Sequence, residues 1–377
     1  MRLNFQLMNQ DEIILQFDYV EETAIDYYFE EVNQISDTLP YGFTDIEKWL
    51  GARKAPKHRK HIKALIAELG CNTLVGYIEV THAVSLNDTY WVKKVDEDIS
   101  WGDISPYTNE FNDVVAQYAF SGNLSRGDFS GTIPELSTDG TYAKCWVRED
   151  NEIYLCKAGS DEFEGIEPKL ECIASDVYKA ICANSVEYRL ACLNDTEVSK
   201  CKLFTDEQNG FISVVRTVKR ERMTVQQLYN IYEELGCGGE FRRMLVADAV
   251  VMNTDRHLGN VGFMIDNGTQ KLINIAPIFD FNKSLLPGLT MEIYENKRRF
   301  GEYVKNQLPR LGTDFIGVAK YFMNSDIECG LRKILDEFTI NEGSLPEWKV
   351  RVINMIIREN ILKILEKSGD LYVSLQN

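Results

Sequence analysis

The chain has no uninterrupted apolar stretch long enough to cross a bilayer as a helix, and Met1-Arg2-Leu3-Asn4 does not open a secretory signal, so a cytoplasmic location is expected. It has no Cys-x-x-Cys pair. Its nine cysteines, an odd number, argue against both a disulfide framework and a zinc site and leave reduced thiols in core or surface positions. It also lacks the positive balance of a nucleic-acid binder. A net charge of -17 repels DNA and RNA at long range, so no direct nucleic-acid binding is expected without a local basic surface. One dense basic run exists, from Arg53 through Lys57, His58, Arg59, Lys60 and His61 to Lys63. It suits either the solvated face of a helix over Pro56 to Leu69 or a docking site for an acidic partner or an acidic segment of the same chain. His58 and His61 lie three apart within it, but the lysines and arginines around them would repel a metal cation. Internal repeats and low-complexity stretches are also missing.

What is present is a globular composition, 44% hydrophobic and 26% charged, over 377 residues, enough for two or three domains with sizeable cores. Residues 1–105 begin as a hairpin, Phe5 to Met8 and Ile13 to Tyr19, and then turn helical from Ile46 to Leu50 and from Pro56. They carry no catalytic signal of their own and read as an accessory region. Residues 106–218 alternate helices and strands. Residues 219–377 are mostly helical, from the N-cap Thr224 before Val225 to Leu235 through the strongly periodic Trp348 to Leu365.

The chemistry concentrates in Asn253-Thr254-Asp255-Arg256-His257-Leu258-Gly259-Asn260 and Ala276-Pro277-Ile278-Phe279-Asp280-Phe281-Asn282. Moving a γ-phosphoryl group needs positioning and charge neutralisation more than covalent help. A carboxylate near the incoming hydroxyl, an amide oxygen five residues on and a second carboxylate for Mg²⁺ supply both. Asp255 and Asn260 have that separation, and Asp280 fits the second carboxylate. An Asp after a helix is ordinarily a turn residue; the joint spacing carries the case. Glu240 to Val251 has helical apolar spacing and ends at the helix-stopping Asn253-Thr254-Asp255. Val261 to Ile265 and Lys271 to Ile275, around Asp266-Asn267-Gly268, read as a hairpin that returns Asp280 beside Asn260.

The pair D-x-H-x-x-N and P-x-F-D resembles the HipA-type serine/threonine kinases, especially the CtkA-like bacterial branch, and the Asp-Arg-His string also resembles phosphoinositide kinases. The resemblance extends to Ser85-Leu86-Asn87-Asp88-Thr89-Tyr90-Trp91 and to the strand Ile153 to Lys157. It implies an α+β, bilobal protein-kinase-like fold with an N-terminal α/β accessory region, an ATP-covering lobe over 106–218 and a helical lobe over 219–377. The implied activity is ATP- and Mg²⁺-dependent phosphorylation of a protein serine or threonine. Alternatives are a lipid or small-molecule kinase, or a nucleotide-binding module that partners a small DNA-binding antitoxin.

Such an enzyme needs a grip on ATP. Leu136 to Lys144 combines Ser137, Thr138 and Thr141 with Gly140 and, expected between strands, suits backbone N–H groups around a phosphate, with Lys144 at its end. Lys157 corresponds to the family's strand lysine, although an arbitrary strand lysine is solvated. Glu171, in a helix expected over Pro168 to Ala183, is its partner, with Glu167 competing. Gly210 to Val218 reads as a strand entering the charged linker Lys219 to Arg222, and the resemblance puts the adenine hinge near Val215, Arg216 and Thr217. His257 is expected to pack beneath the catalytic loop and hold its backbone, a structural role. Asn282 stands where many protein kinases have glycine. Ser284, Ser137, Thr138 and Thr141 are candidate phosphosites, and self-modification of the phosphate loop would switch the enzyme off by charge collision with ATP.

Overall fold

The computed structural model describes residues 1–22, 26–56, 59, 61–122, 132–217, 223–340 and 345–366. The N-terminal hairpin pairs β1 (Arg2–Asn9) with β2 (Glu12–Glu21), and β3 (Tyr27–Gln34) continues it. Helices α1 (Ile46–Arg53), α2 (Ile62–Glu68) and α3 (Leu74–Thr81) precede β4 (Tyr90–Lys94), which joins β1 to give the order β3-β2-β1-β4. Alternation along β1 and β2 drives one face inward. Phe5, Leu7, Leu15, Phe17 and Tyr19 are buried in one cluster with Ile46, Leu50, Leu65 and Ile78 of the helices.

Two short helices, α4 (Trp101–Ile104) and α5 (Asp113–Ser121), lead to a second antiparallel sheet. It contains β5 (Lys144–Glu149), β6 (Glu152–Ala158), β7 (Tyr188–Leu193) and β8 (Thr196–Lys202) in the order β5-β6-β8-β7, with α6 (Glu167–Ile181) inserted between β6 and β7. Next come β9 (Asn209–Ser213) and the helical turn α7 (Val214–Thr217).

The C-terminal part opens with α8 (Val225–Glu234), whose Thr224 and Gln227 form a reciprocal capping box, and α9 (Gly238–Val251). The hairpin β10 (Gly262–Asp266) and β11 (Leu272–Ile275) pairs back on β9, so this three-stranded sheet ties the middle of the chain to the loop over 253–260. Helices α10 (Met291–Glu295), α11 (Lys297–Lys305), α12 (Phe315–Phe322), α13 (Ser325–Glu337) and α14 (Glu347–Leu365) complete the chain. The largest core cluster joins α6, α8, α9, α12, α13 and α14, with α9 buried nearly all round. Among the described residues no helix is long and apolar enough to cross a membrane.

Three local expectations are corrected. The helix expected from Pro56 begins only at Ile62, because His61 has a left-handed φ of 64° that a continuing helix cannot contain; Lys57, His58 and Lys60 lie outside the described residues. The strand expected through Val218 stops at Ser213. Val214 and Val215 donate their N–H groups to Val261 and Leu258, and the chain coils as α7; the linker Lys219 to Arg222 lies outside the described residues. The phosphate-loop segment is preceded by a 3-10 turn, Pro134–Ser137, rather than a strand.

Candidate active site

Lys157 is on β6, whose last three residues are all buried, and its side chain is 5% exposed. Nζ donates to Glu171 Oε1 at 2.5 Å and to Asp280 Oδ1 at 2.9 Å, and it lies 4.7 Å from the centre of the Tyr188 ring. Glu171, on the buried face of α6, accepts from Ser199 Oγ at 2.5 Å and from the Phe281 N–H at 3.0 Å. The other candidate, Glu167, takes the Ser160 N–H and hydroxyl at 3.1 and 2.5 Å. Burial lowers the Lys157 ammonium's affinity for its proton, but the two carboxylates outweigh it and keep the group charged.

Asp280 reaches Lys157 through an unusual backbone. Its φ is 63°, in the left-handed region that Asp tolerates better than most residues. The neighbours that fix it are the Tyr188 hydroxyl, which accepts the Asp280 N–H at 3.2 Å, and Phe281, stacked on Tyr178 at 4.0 Å. Leu285 and Leu286 also have φ near 60°, and the buried Lys349 ammonium holds the Leu286 and Leu289 carbonyls at 2.8 and 2.9 Å. Burial raises the Asp280 carboxyl, yet Lys157 and Lys144 hold it at about 2, so it is an anion at neutral pH. Asn282 is not among the positive-φ residues, which explains why glycine is not needed there. Ser284 is wholly buried, its hydroxyl without a hydrogen-bond partner among the described residues.

Asp255 follows α9 and is half-buried, its N–H donated to Asn253 Oδ1 at 3.1 Å. Its carboxyl titrates above the ordinary aspartate range because of burial and repulsion from Asp280, against the pull of His257, Arg310 and Lys283. Arg310 stands 3.6 Å from Asp255 Oδ1. The Asn260 amide nitrogen donates to the Asp255 carbonyl at 3.1 Å, which commits that nitrogen to the loop. His257 is corrected: it is exposed rather than packed beneath, and its hold on the backbone is local, Nδ1 accepting the Gly259 N–H at 3.0 Å.

The brace of the two loops is Arg256, a residue whose importance did not emerge from the sequence. It is 1% exposed, and its guanidinium donates to both Asp248 oxygens at 3.2 Å, to the Tyr178 hydroxyl at 3.2 Å, to the Asn260 carbonyl at 2.9 Å and to the Phe279 carbonyl at 2.6 Å. Tyr178 in turn donates to Asp248. One buried cation thus joins the loop bearing Asn260 to the loop bearing Asp280. A lone carboxylate, Asp248, inside the apolar run of α9 was the available signal.

The phosphate-loop candidates divide. Ser137 is buried and donates to the Val84 carbonyl at 2.7 Å; Thr138 donates to Pro134 at 2.7 Å and accepts from the Trp146 indole at 2.8 Å. Those hydroxyls are committed to the scaffold, whereas Thr141 is exposed. Gly140 has a φ of 98°, a conformation that favours glycine, and the Lys144 ammonium lies against it. Lys144 donates to the Asp139 carbonyl at 2.7 Å; burial first, then Arg59, lowers its ammonium to about 7. Arg59, from the basic run, is 4% exposed and donates to the carbonyls of Gly140 at 3.0 Å, Glu135 at 2.7 Å and Thr138. Arg216 bridges the Ala52 carbonyl at 2.6 Å and Asp139 at 3.4 Å, Val215 is 52% exposed, and Thr217 donates to the Val214 carbonyl at 2.9 Å.

No family model and no curated protein matches the sequence. Among solved structures, HipA of Shewanella oneidensis MR-1, from a toxin–antitoxin system with HipB and operator DNA, is similar over 96% of this chain and 97% of its own. The identity is 11% and the TM-score 0.54, so the likeness is one of fold. The Helicobacter pylori proinflammatory kinase CtkA is similar over 59% of this chain and 90% of its own, at 19% identity and a TM-score of 0.47. The chain has the α+β, kinase-like fold of HipA, as the sequence resemblance led us to expect.

Proposed function

We propose that this HipA-fold chain is an ATP- and Mg²⁺-dependent phosphotransferase acting on a serine or threonine hydroxyl of a protein. The observation that carries it is the convergence of Lys157, Glu171 and Asp280, residues 14 and 123 positions from the lysine, on one enclosed ammonium, with Asn260 tied to the same cluster through Arg256.

The donor set fits the implied cofactors. Mg²⁺ takes hard oxygen ligands and is commonly held by one or two protein groups together with substrate phosphates. Asp280, an anion at neutral pH, and the Asn260 amide oxygen, whose nitrogen is already committed, are such groups. Bound Mg²⁺ would neutralise charge on the β- and γ-phosphates. Lys157, kept in place by Glu171, supplies a cation for the α- and β-phosphates. Asp255 orients the acceptor hydroxyl and accepts its proton; its raised affinity for protons favours that task. Backbone N–H groups around Gly140 and Thr141 cover the phosphates, Lys144 supports that loop, and the backbone of Val215 to Thr217 meets the adenine. Because the Ser137 and Thr138 hydroxyls are committed elsewhere, Thr141 is the autophosphorylation candidate that this conformation favours. Kinship of fold with a HipA found beside HipB also supports a small DNA-binding partner.

The test is incubation with Mg²⁺ and labelled ATP in a cell lysate, followed by identification of labelled proteins. Asp255→Asn is expected to abolish transfer while ATP binding persists, and Asp280→Asn to weaken Mg-ATP binding as well. Parental activity in either variant would remove the assignment.

A further inference from the structure

Negative charge is concentrated at one end of this chain. From Leu3 to Glu47 there is no lysine or arginine, and eleven carboxylates fall in that stretch, in a chain whose net charge is -17. Several of them gather around β3, the terminal strand of the order β3-β2-β1-β4, whose second edge meets no strand among the described residues. Of its eight residues all but Phe29 are exposed. Phe29 is the anchor, its ring 5.9 Å from Phe17 and 5.5 Å from Tyr19. Tyr27 and Tyr28 are 44% and 45% exposed, Val32 57%, and Ile35 just beyond the strand 49%.

An open edge is a row of backbone donors and acceptors ready to pair with another strand, and proteins usually blunt it with lysine, proline or brevity. β3 has neither residue and is not short. Its backbone is interrupted by a bulge: Gln16 pairs with Asn33 and Phe17 with Glu31, so Val32 is the extra residue, and Tyr27 to Glu31 remains a regular stretch. Glu30 and Glu31 close that stretch. Glu30 takes Arg2 at 2.9 Å and Glu31 takes the Ile46 N–H at 3.0 Å, and each retains a carboxylate at an exposed position.

We infer that β3 receives an extended, lysine- or arginine-bearing segment of another protein as a further strand of this sheet. Self-pairing is disfavoured by the same charges: a symmetric antiparallel pairing centred between Glu30 and Glu31 puts Glu30 of one copy opposite Glu31 of the other. Successive strand residues face opposite sides, so Glu30 and Glu31 present one carboxylate on each face, Glu30 beside Tyr28 and Glu31 beside Phe29 with Tyr27 beyond it. The matching segment has two adjacent basic residues, one for each face, next to apolar residues that cover the tyrosines. The acidic field around the edge steers such a segment and repels an acidic one.

The probe is a synthetic peptide of the length of β3 with two central lysines among valine and threonine, and its binding to the full chain is followed by fluorescence anisotropy and by amide exchange. Slowed exchange at Tyr27 to Glu31 is expected, with binding that weakens as salt is added. Replacing the two lysines by glutamates should weaken binding at least about ten-fold. The double variant Glu30→Lys/Glu31→Lys should exchange the preference, taking the glutamate peptide and losing the lysine one, a readout that a change in stability alone cannot mimic. The inference is overturned if the lysine peptide does not bind, if both peptides bind alike, if protection appears elsewhere, or if β3 is protected by concentration-dependent self-association. None of these outcomes bears on phosphotransfer.

Discussion

Two parts of the candidate site bury their cations in opposite ways. Arg256 is enclosed against a carboxylate, Asp248, and its proton is bound more firmly than usual, with Asp248 the main favourable cause against burial. Arg59 and Lys144, by contrast, donate mainly to backbone carbonyls; burial lowers Arg59 to about 10 against the opposing pull of Glu135 and Asp139, and burial followed by repulsion from Arg59 lowers Lys144 to about 7. Glu135 lies in the same pocket with one carboxylate oxygen unpaired among the described residues, pushed up to about 7 by burial. A buried cation with a buried anion is locked in its charge state, whereas one held by carbonyl dipoles remains open to titration. The loops bearing Asn260 and Asp280 are therefore fixed in their charge state, and the segment over 136–144 is the side that pH can loosen.

The sharpest way to break this comparison is to remove the two arginines. Arg256→Ala strands the Asp248 carboxyl in the core and should cost about 3–5 kcal/mol, read by chemical denaturation. Arg59→Ala leaves carbonyls rather than a charge without donors, and about 1–3 kcal/mol is expected. Equal costs would mean that the two sides are not held differently.

The next effect is pH dependence. The Lys144 ammonium binds its proton more weakly folded, at about 7, than at its ordinary 10.5, so stability should rise with pH from about 7 towards 10.5 and the burial cost should be complete below about 7. Glu135 has the opposite sign. Its folded carboxyl, at about 7 against an ordinary 4.5, contributes stability that is lost as pH climbs through that interval. Denaturation midpoints across pH should show a shallow minimum near neutrality. Lys144→Met should erase the rising limb and Glu135→Gln the falling one; a profile unchanged in both variants would place the titrating groups elsewhere. Smallest is Thr138→Val, which removes one donor and the acceptor of the Trp146 indole and should cost about 1 kcal/mol in thermal or chemical unfolding.

Much of the local geometry of the candidate site was readable because its spacing is short. The five-residue step from Asp255 to Asn260 closes as an Asn260 amide bond to the Asp255 carbonyl, and the Asn-Gly hairpin after it forms as β10 and β11. Glu171 rather than Glu167 meets Lys157, a choice the sequence left open because both glutamates lie in α6 and only the crossing of helix and sheet decides between them. His257 faced outward because Gly259 offers its N–H within the loop itself, a contact that apolar periodicity does not report. The basic run resembled a solvated helix face because its charges hide their use: Arg53 pairs with Asp88 at 2.8 Å and Arg59 crosses into the phosphate loop.

By itself the sequence determined the periodic helices, the hairpins and the local geometry of the catalytic loop, because hydrogen bonds a few residues apart depend on neighbouring side chains alone. Only the tertiary structure decided which buried charge meets which partner. Lys157 and Asp280 are 123 residues apart, and Arg59 and Gly140 are 81 apart. No local rule relates such residues; the packing of sheet against helix brings them within hydrogen-bond distance, and the cost of leaving a buried charge alone keeps them there.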